Sequence, residues 1–353
     1  MKLFSFAEQN SLLAIMPRFG RKHRYIYRTF MKGQVYEMSY MEENQRLVAE
    51  LAAEISKVIK GKKDAVEMVL ISLLSQGHIL IEDVPGVGKT TLAMALGKAT
   101  GLSFRRAQFT PDVMASDITG FTMYNRDENK FEYRSGLAMT NILLADEINR
   151  TSPKTQSALL EAMEEKRVTV DGIVHPLPSP FIVIATQNSQ GYVGTFPLPE
   201  AQLDRFQIRV CMGYPSIEEE ADIMLDRLHG NPADDIRPVM TAEQLAECIE
   251  DVQNVTFSES LCRYVAELAA ATRAHAGVEL GASPRASLAL MQASRAYAYI
   301  HGRDYVVPED IAALIKPVFS HRIALRQEMR IKKQSVEAVL DDVLASVAAP
   351  VKG

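Results

Sequence analysis

Apolar positions in this chain change period several times, and each change marks an element. From Glu42, Leu47, Leu51, Ile55 and Ile59 recur every four residues with charges between them, and Gly61 ends the run. That period predicts an amphipathic helix, and a second one is expected over 63–76, closed by Gly77. Ile79, Leu80 and Ile81 then form a continuous apolar run, the pattern of a strand buried on both faces. A glycine-bearing loop follows, then a helical segment from Lys89 to Thr100, stopped by Gly101. Further strand-like segments lie near 102–109, at 142–144, at 181–185 and at 206–210, with helices expected at 153–166 and, briefly, within 197–206. Strands alternating with helices predict a parallel sheet covered by helices. Two short period-2 segments interrupt the alternation. Residues 131–133 read as one arm of a hairpin, and 167–178 alternates around Asp171-Gly172, a strong hairpin-turn signal. Beyond Tyr214-Pro215 the period is helical throughout, with helices expected at about 217–229, 241–252, 258–275, 284–301, 308–320 and 333–347. Asn231-Pro232, Gly281, Gly302 and Pro308 punctuate them.

The chemistry sits where strands end. Residues 79–92 read ILIEDVPGVGKTTL: strand, glycine loop, Lys-Thr, helix. This architecture wraps backbone N–H groups around phosphates, aims a helix dipole at them, extends a lysine to the β- and γ-phosphates, and offers a hydroxyl to Mg²⁺. The candidate nucleotide-binding residues are Asp83, Val84, Pro85, Gly86, Val87, Gly88, Lys89, Thr90 and Thr91. Asp83 stands where the full pattern has its first glycine; Asp tolerates tight turns by bonding its own downstream backbone. The strand at 142–144 ends in Asp146-Glu147, and carboxylates at that end of a parallel sheet face the same crevice as the phosphate loop. Asp146, with Thr90, is a candidate Mg²⁺ ligand through water, and Glu147 a candidate to orient or deprotonate attacking water. The strand at 181–185 runs into Thr186-Gln187-Asn188, where the Asn188 amide could help position that water or simply cap a loop. Arg205, in LDRF, could be a solvated charge or an arginine finger reaching a γ-phosphate on an adjacent subunit. Arg285 follows Pro284 at the start of a helix that could lean its N-terminus over the nucleotide.

Composition narrows the class. The 353 residues are 47% hydrophobic and 24% charged, ordinary for a globular chain of two domains. A net charge of −5 argues against wholesale nucleic-acid wrapping, although the first 36 residues carry +6 and leave −11 on the rest. That arm fits either a basic element touching membrane or nucleic acid, or a poorly ordered extension. The second includes a true start at Met31, Met38 or Met41, and is favoured because no amphipathic face repeats cleanly. Cys211, Cys248 and Cys262 have no paired spacing, which fits a reducing cytosol. No run of 18 apolar residues is present, so no membrane span is expected, and the N-terminus lacks the features of a signal peptide. The expected division is a basic extension over 1–37, a nucleotide-binding core over 38–214, a helical lid over 215–335, and a C-terminal helix and tail over 336–353.

On these motifs the chain resembles an AAA+ ATPase, and within that class the MoxR family, over roughly residues 42–335. VPGVGKTT matches Walker A except at Asp83, and LLADEINR matches the family's Walker B. FTPDVMASDITG is similar to the helix-2 insert, and EKRVTVDG to the hairpin before sensor 1. IATQN places sensor 1 at Asn188, LPEAQLDRF the arginine finger at Arg205, and GASPRAS the sensor-2 helix at Arg285. The resemblance implies an α/β P-loop NTPase core of five parallel strands with helices on both faces, the two insertions, and an all-α C-terminal lid. It implies ATP and Mg²⁺ as cofactors, a homo-oligomeric, hexameric ring with nucleotide between subunits, and chaperone-like remodelling or maturation of protein clients, often ones with a von Willebrand factor A domain. The motor of a metal-chelatase complex, a nucleotide-gated scaffold with little turnover, and a DNA-acting AAA+ protein are the alternatives. The intact Asp146-Glu147 pair speaks against the scaffold, and the net charge against DNA.

Overall fold

The computed structural model describes residues 26–31, 34–82, 87–187, 196–228 and 230–350, with side chains from residue 40 onward. An antiparallel hairpin of β1 (Ile26–Met31) and β2 (Gln34–Ser39) leads directly into α1 (Tyr40–Ser56), where the sequence pattern showed only irregular chain. Leu51, Ile55 and Ile59 of the four-residue stripe are buried and Leu47 packs half-buried against the same core, with Val48 buried beside it. There follow α2 (Lys63–Leu74), β3 (Ile79–Glu82), α3 (Lys89–Thr100), β4 (Phe104–Gln108) and α4 (Ala115–Thr119). β5 (Gly120–Asn125) and β6 (Lys130–Ser135) form the first inserted hairpin; β7 (Ile142–Asp146) and α5 (Pro153–Glu165) return to the core. β8 (Arg167–Val170) and β9 (Ile173–Pro176) form the second hairpin, turning at Asp171-Gly172. β10 (Ile182–Gln187), α6 (Glu200–Leu203) and β11 (Ile208–Val210) complete the core.

The central sheet has the order β11-β3-β10-β7-β4, and every neighbouring pair is parallel. Its strands are apolar on both faces, as covering helices require. Ile79, Ile81, Ile142, Leu144, Ile182 and Ile184 face one core; Leu80, Leu143, Ala145, Val183 and Ala185 face the other. On the second side α5 closes the layer with Leu159, Leu160 and Met163.

The lid comprises α7 (Ile217–Leu228), α8 (Ala242–Asn254), α9 (Glu259–Ala274), α10 (Pro284–Ile300), α11 (Pro308–Phe319) and α12 (Gln327–Ile331), followed by the C-terminal helix α13 (Val336–Ser346). It is helical as expected, with one addition: β12 (Val278–Leu280) pairs antiparallel with β13 (Ala324–Leu325). The helix expected over 333–347 begins only at Val336, because Ser335 caps it and accepts a bond from the Ala338 N–H. One continuous apolar cluster runs from the first face of the sheet through α1–α3 into α8–α11 and α13, so lid and core share a core.

Candidate functional site

Register brings the candidate residues together. Pairing of β10 with β7 sets Ala185 opposite Ala145, and pairing with β3 sets Gln187 opposite Glu82. The C-terminal ends of β3, β7 and β10 therefore lie side by side, where open α/β sheets bind ligands. Asp83, Val84, Pro85, Gly86 and Asn188 lie outside the described residues. Val87, Gly88, Lys89, Thr90 and Thr91 are all half-buried. Gly88 is the N-cap of α3 at φ +91°, in the left-handed region. A Cβ there would meet only Ile59 Cδ1 at 3.9 Å, so backbone conformation and not space calls for glycine. Lys89 and Thr90 then occupy the first turn of α3, whose N-terminal backbone N–H groups and dipole favour an anion. Beside them a cleft of about 180 Å³ is lined by Val58, Ile59, Val87, Gly88, Thr91 and Ile223, combining the loop after α1, the phosphate loop and α7.

Asp146 is buried, and both its carboxylate oxygens are engaged: Arg106 Nε donates to Oδ2 at 2.7 Å and Thr186 Oγ1 to Oδ1 at 3.3 Å. The same Thr186 oxygen accepts the Glu147 N–H at 2.9 Å. Glu147 takes φ +56°, a left-handed conformation costly for a side-chain-bearing residue and found most often at functional sites. Its Oε2 accepts from Arg150 Nη1 at 2.8 Å. Sequence reasoning passed over Arg106 and Thr186; a hydroxyl directly after the apolar run of β10 was the available signal.

The arginines gather elsewhere. Arg205, after α6, donates from Nε to Glu164 Oε2 at 2.9 Å and from Nη1 to the Ala201 carbonyl at 3.0 Å. Arg285, on the first turn of α10, donates to Glu164 Oε1. Its hydrogen-bond partner is thus the carboxylate that also holds Arg205. Desolvation raises the Glu164 pKa, but the charges of Arg285 and Arg205 outweigh it and hold it below the usual carboxylate range. A cleft of about 540 Å³, lined by Ser157, Glu161, Glu164, Arg167, Gln202 and Arg205, opens beside this cluster and shares no lining residue with the phosphate-loop cleft.

Two buried histidines support these regions. His78 precedes β3; its Nδ1 accepts the Val183 N–H at 3.0 Å, which leaves Nε2–H to donate to the Met163 carbonyl at 3.1 Å. Acceptance at Nδ1 needs the neutral ring, and burial pushes its pKa down to about 4. His321 donates from Nε2 to the Phe206 carbonyl at 2.8 Å, next to Arg205; burial, with the charge of Arg322, drives its pKa well below the ordinary value.

The donor set fits Mg²⁺ held with a nucleotide. Among the described residues no group of three or more His, Cys, Asp or Glu is assembled that could hold a metal. One carboxylate plus a hydroxyl suits an ion that takes its remaining ligands from phosphates and water.

Comparison with known proteins agrees with this geometry. A family profile described as the ATPase family associated with various cellular activities (AAA) matches residues 78–208, and an AAA lid domain profile matches 270–343. The chain is similar to uncharacterized protein YeaC of Bacillus subtilis (strain 168), at 48% identity over 315 residues, covering 89% of this chain and 98% of that one. It is similar to Chaperone MoxR1 of Mycobacterium tuberculosis at 40% identity over 306 residues, covering 84% and 81%. A crystal structure of a candidate ATPase from Cytophaga hutchinsonii aligns with TM-score 0.82 and 37% identity, over 88% of this chain and 97% of that one.

Proposed function

The chain belongs to the MoxR family of AAA+ ATPases, and we propose that it hydrolyses ATP with Mg²⁺ at a site completed by a second copy, using turnover to remodel partner proteins. What supports this reading is the alignment of the C-terminal ends of β3, β10 and β7, with Thr186 bonded to both Asp146 and Glu147, and Lys89–Thr90 in the first turn of the helix that follows β3. Lys89 and the α3 N-terminus hold the β- and γ-phosphates, while Thr90 and Asp146 hold the ion. Mg²⁺, bound with ATP, supplies charge neutralisation on the phosphate oxygens. Thr186 fixes the Asp146 carboxylate and the Glu147 backbone together, so that metal ligand and base keep one spacing. Glu147 takes a proton from the attacking water; its bond to Arg150 is the resting arrangement of a carboxylate that must turn to the water. Asn188 orients that water, and Arg205 and Arg285 carry positive charge to the γ-phosphate.

The clustering of Arg205 and Arg285 on Glu164, away from the phosphate loop, supports their serving the site of a neighbouring subunit in a homo-oligomeric, hexameric ring. The name of the relative Chaperone MoxR1 supports a chaperone-like role. Protein clients, including ones with von Willebrand factor A domains, follow from the family. No helix among the described residues is long and apolar enough to cross a membrane.

The test is Glu147→Gln. It should bind ATP with unchanged affinity while phosphate release falls roughly 10²–10⁴-fold, the usual range for a lost general base. Turnover near the wild-type rate would remove Glu147 from the role of base.

A further inference from the structure

Arg322 is the one arginine with its side chain almost wholly enclosed, at 2% exposure, among the described ion pairs. A guanidinium has five N–H donors, and here all five are used. Nε donates to Asp204 Oδ1 at 2.7 Å; Nη1 donates to the Gln207 carbonyl at 3.1 Å and to the Val318 carbonyl. Nη2 donates to the carbonyls of Asp204 at 3.1 Å and Phe206 at 2.6 Å. Three of these carbonyls, at residues 204, 206 and 207, bracket Arg205. Asp204 in turn accepts from Ser283 Oγ, at 3.2 Å to Oδ1 and 3.0 Å to Oδ2. Ser283 is the N-cap of α10, accepting the Ala286 N–H at 3.2 Å, and Arg285 lies two residues further on. A single buried node thus touches the backbone on both sides of Arg205 and the cap of the helix that carries Arg285.

A buried ion pair is a poor source of stability, since apolar residues of similar volume often do as well or better. What a forked, fully bonded guanidinium supplies is fixed geometry. Burial lowers the Arg322 pKa to about 10 against the opposing effect of Asp204, so the charge persists at neutral pH.

We propose that Arg322 is a positioning residue for the arginine pair: through Asp204 and Ser283 it holds Arg205 of the core and Arg285 of the lid at one spacing, so that both reach the neighbouring nucleotide together. The proposal rests on the shared-site reading above. It makes the lid a part of the finger: a lid displaced from β11 and α6 carries Arg285 away from Arg205 and silences the neighbouring site, not its own.

The experiment uses full-length oligomer and measures phosphate release against ATP concentration, thermal unfolding and assembly mass. Arg322→Lys keeps the charge and loses the fork; kcat should fall roughly 10- to 100-fold, as for a small misplacement of a catalytic group, with KM for ATP little changed. Ser283→Ala cuts the link to the lid while leaving Arg322 on Asp204, and should also lower kcat; Ser283→Thr, which keeps the hydroxyl, should restore it. In an Arg205→Ala, Arg285→Ala background, Arg322→Lys should add no further loss, because neither arginine is left to misplace. A purely structural role predicts the same added loss in both backgrounds, together with lowered melting and assembly, and that result overturns the proposal. So does wild-type kcat in Arg322→Lys. Should Arg322→Lys not fold, wild-type kcat in Ser283→Ala overturns it equally. If Arg205→Ala itself turns over normally, the shared-site reading falls first and takes this one with it.

Discussion

The carboxylate half of the site and the arginine half reach comparable order by different routes. Asp146, Glu147 and Thr186 sit at the ends of adjacent parallel strands, and sheet register alone brings them within hydrogen-bond distance. Arg205 and Arg285 have no common sheet. They come from the turn after a short helix of the core and from the first turn of a lid helix, and ionic contacts hold them: Glu164 at the tips, and Arg322 with Asp204 at the base. Register is rigid because every strand residue contributes. A junction of side chains is set by a few bonds and moves when they move. A machine that must switch between nucleotide states keeps its chemistry on the first kind of support and its control on the second.

The largest expected effect tests whether the halves belong to one active site. Arg205→Ala should bind ATP normally yet lose about 10³–10⁵ in turnover, the range an arginine finger commands. Mixing it with Glu147→Gln subunits should restore hydrolysis, since each supplies what the other lacks. No recovery in the mixture, with mixed rings shown to form, means that Arg205 acts within its own subunit.

The two halves were unequally legible in the sequence, for the same physical reason that they differ in build. A phosphate loop and a strand-end Asp-Glu are local patterns: the period of the apolar residues locates the strand, and the strand locates the site. Their spatial neighbours follow from sheet topology. Glu164 lies 121 residues from Arg285, and Asp204 lies 118 from Arg322; nothing in either stretch announces the partner. Arg285 was legible as a candidate through the family motif, but its attachment to Glu164 required the packing of lid on core. The left-handed φ of Glu147 likewise has no sequence signal, because only the tertiary setting holds a non-glycine residue there.

A second comparison is between the histidines beneath each half. His78 and His321 are neutral when folded and titrate near 6.5 when unfolded. Both folded pKa values are depressed, and for His78 the unfolded chain binds, between about pH 4 and about pH 6.5, a proton that the folded chain refuses. Stability is then fully present above about pH 6.5 and is lost as pH falls. For His78 the loss between about pH 7 and about pH 5 is on the order of 2 kcal/mol, measured by urea unfolding at both values. His78→Gln should flatten that slope; an unchanged slope would assign the acid sensitivity to other groups. His78 uses both ring nitrogens, whereas His321 Nδ1 has no hydrogen-bond partner among the described residues. Removing His78 therefore strands two backbone groups, Val183 N–H and Met163 C=O, whereas removing His321 leaves the Phe206 carbonyl on Arg322 Nη2.

The smallest effect separates the two ionic supports of the arginine half. Glu164 is 37% exposed and Arg285 is 43% exposed, whereas Arg322 is enclosed. Exposed ion pairs contribute between nothing and about 1 kcal/mol, because water screens the charges and two long side chains must be immobilised. Glu164→Gln should therefore cost less than about 1 kcal/mol in unfolding. It should change turnover by less than about fivefold, the rate equivalent of that energy. Arg205 would keep its bond to the Ala201 carbonyl and the bracket of carbonyls held by Arg322. A fall in turnover as deep as that of Arg205→Ala would reverse the assignment, making Glu164 the group that sets the finger and Arg322 a structural tie beneath it.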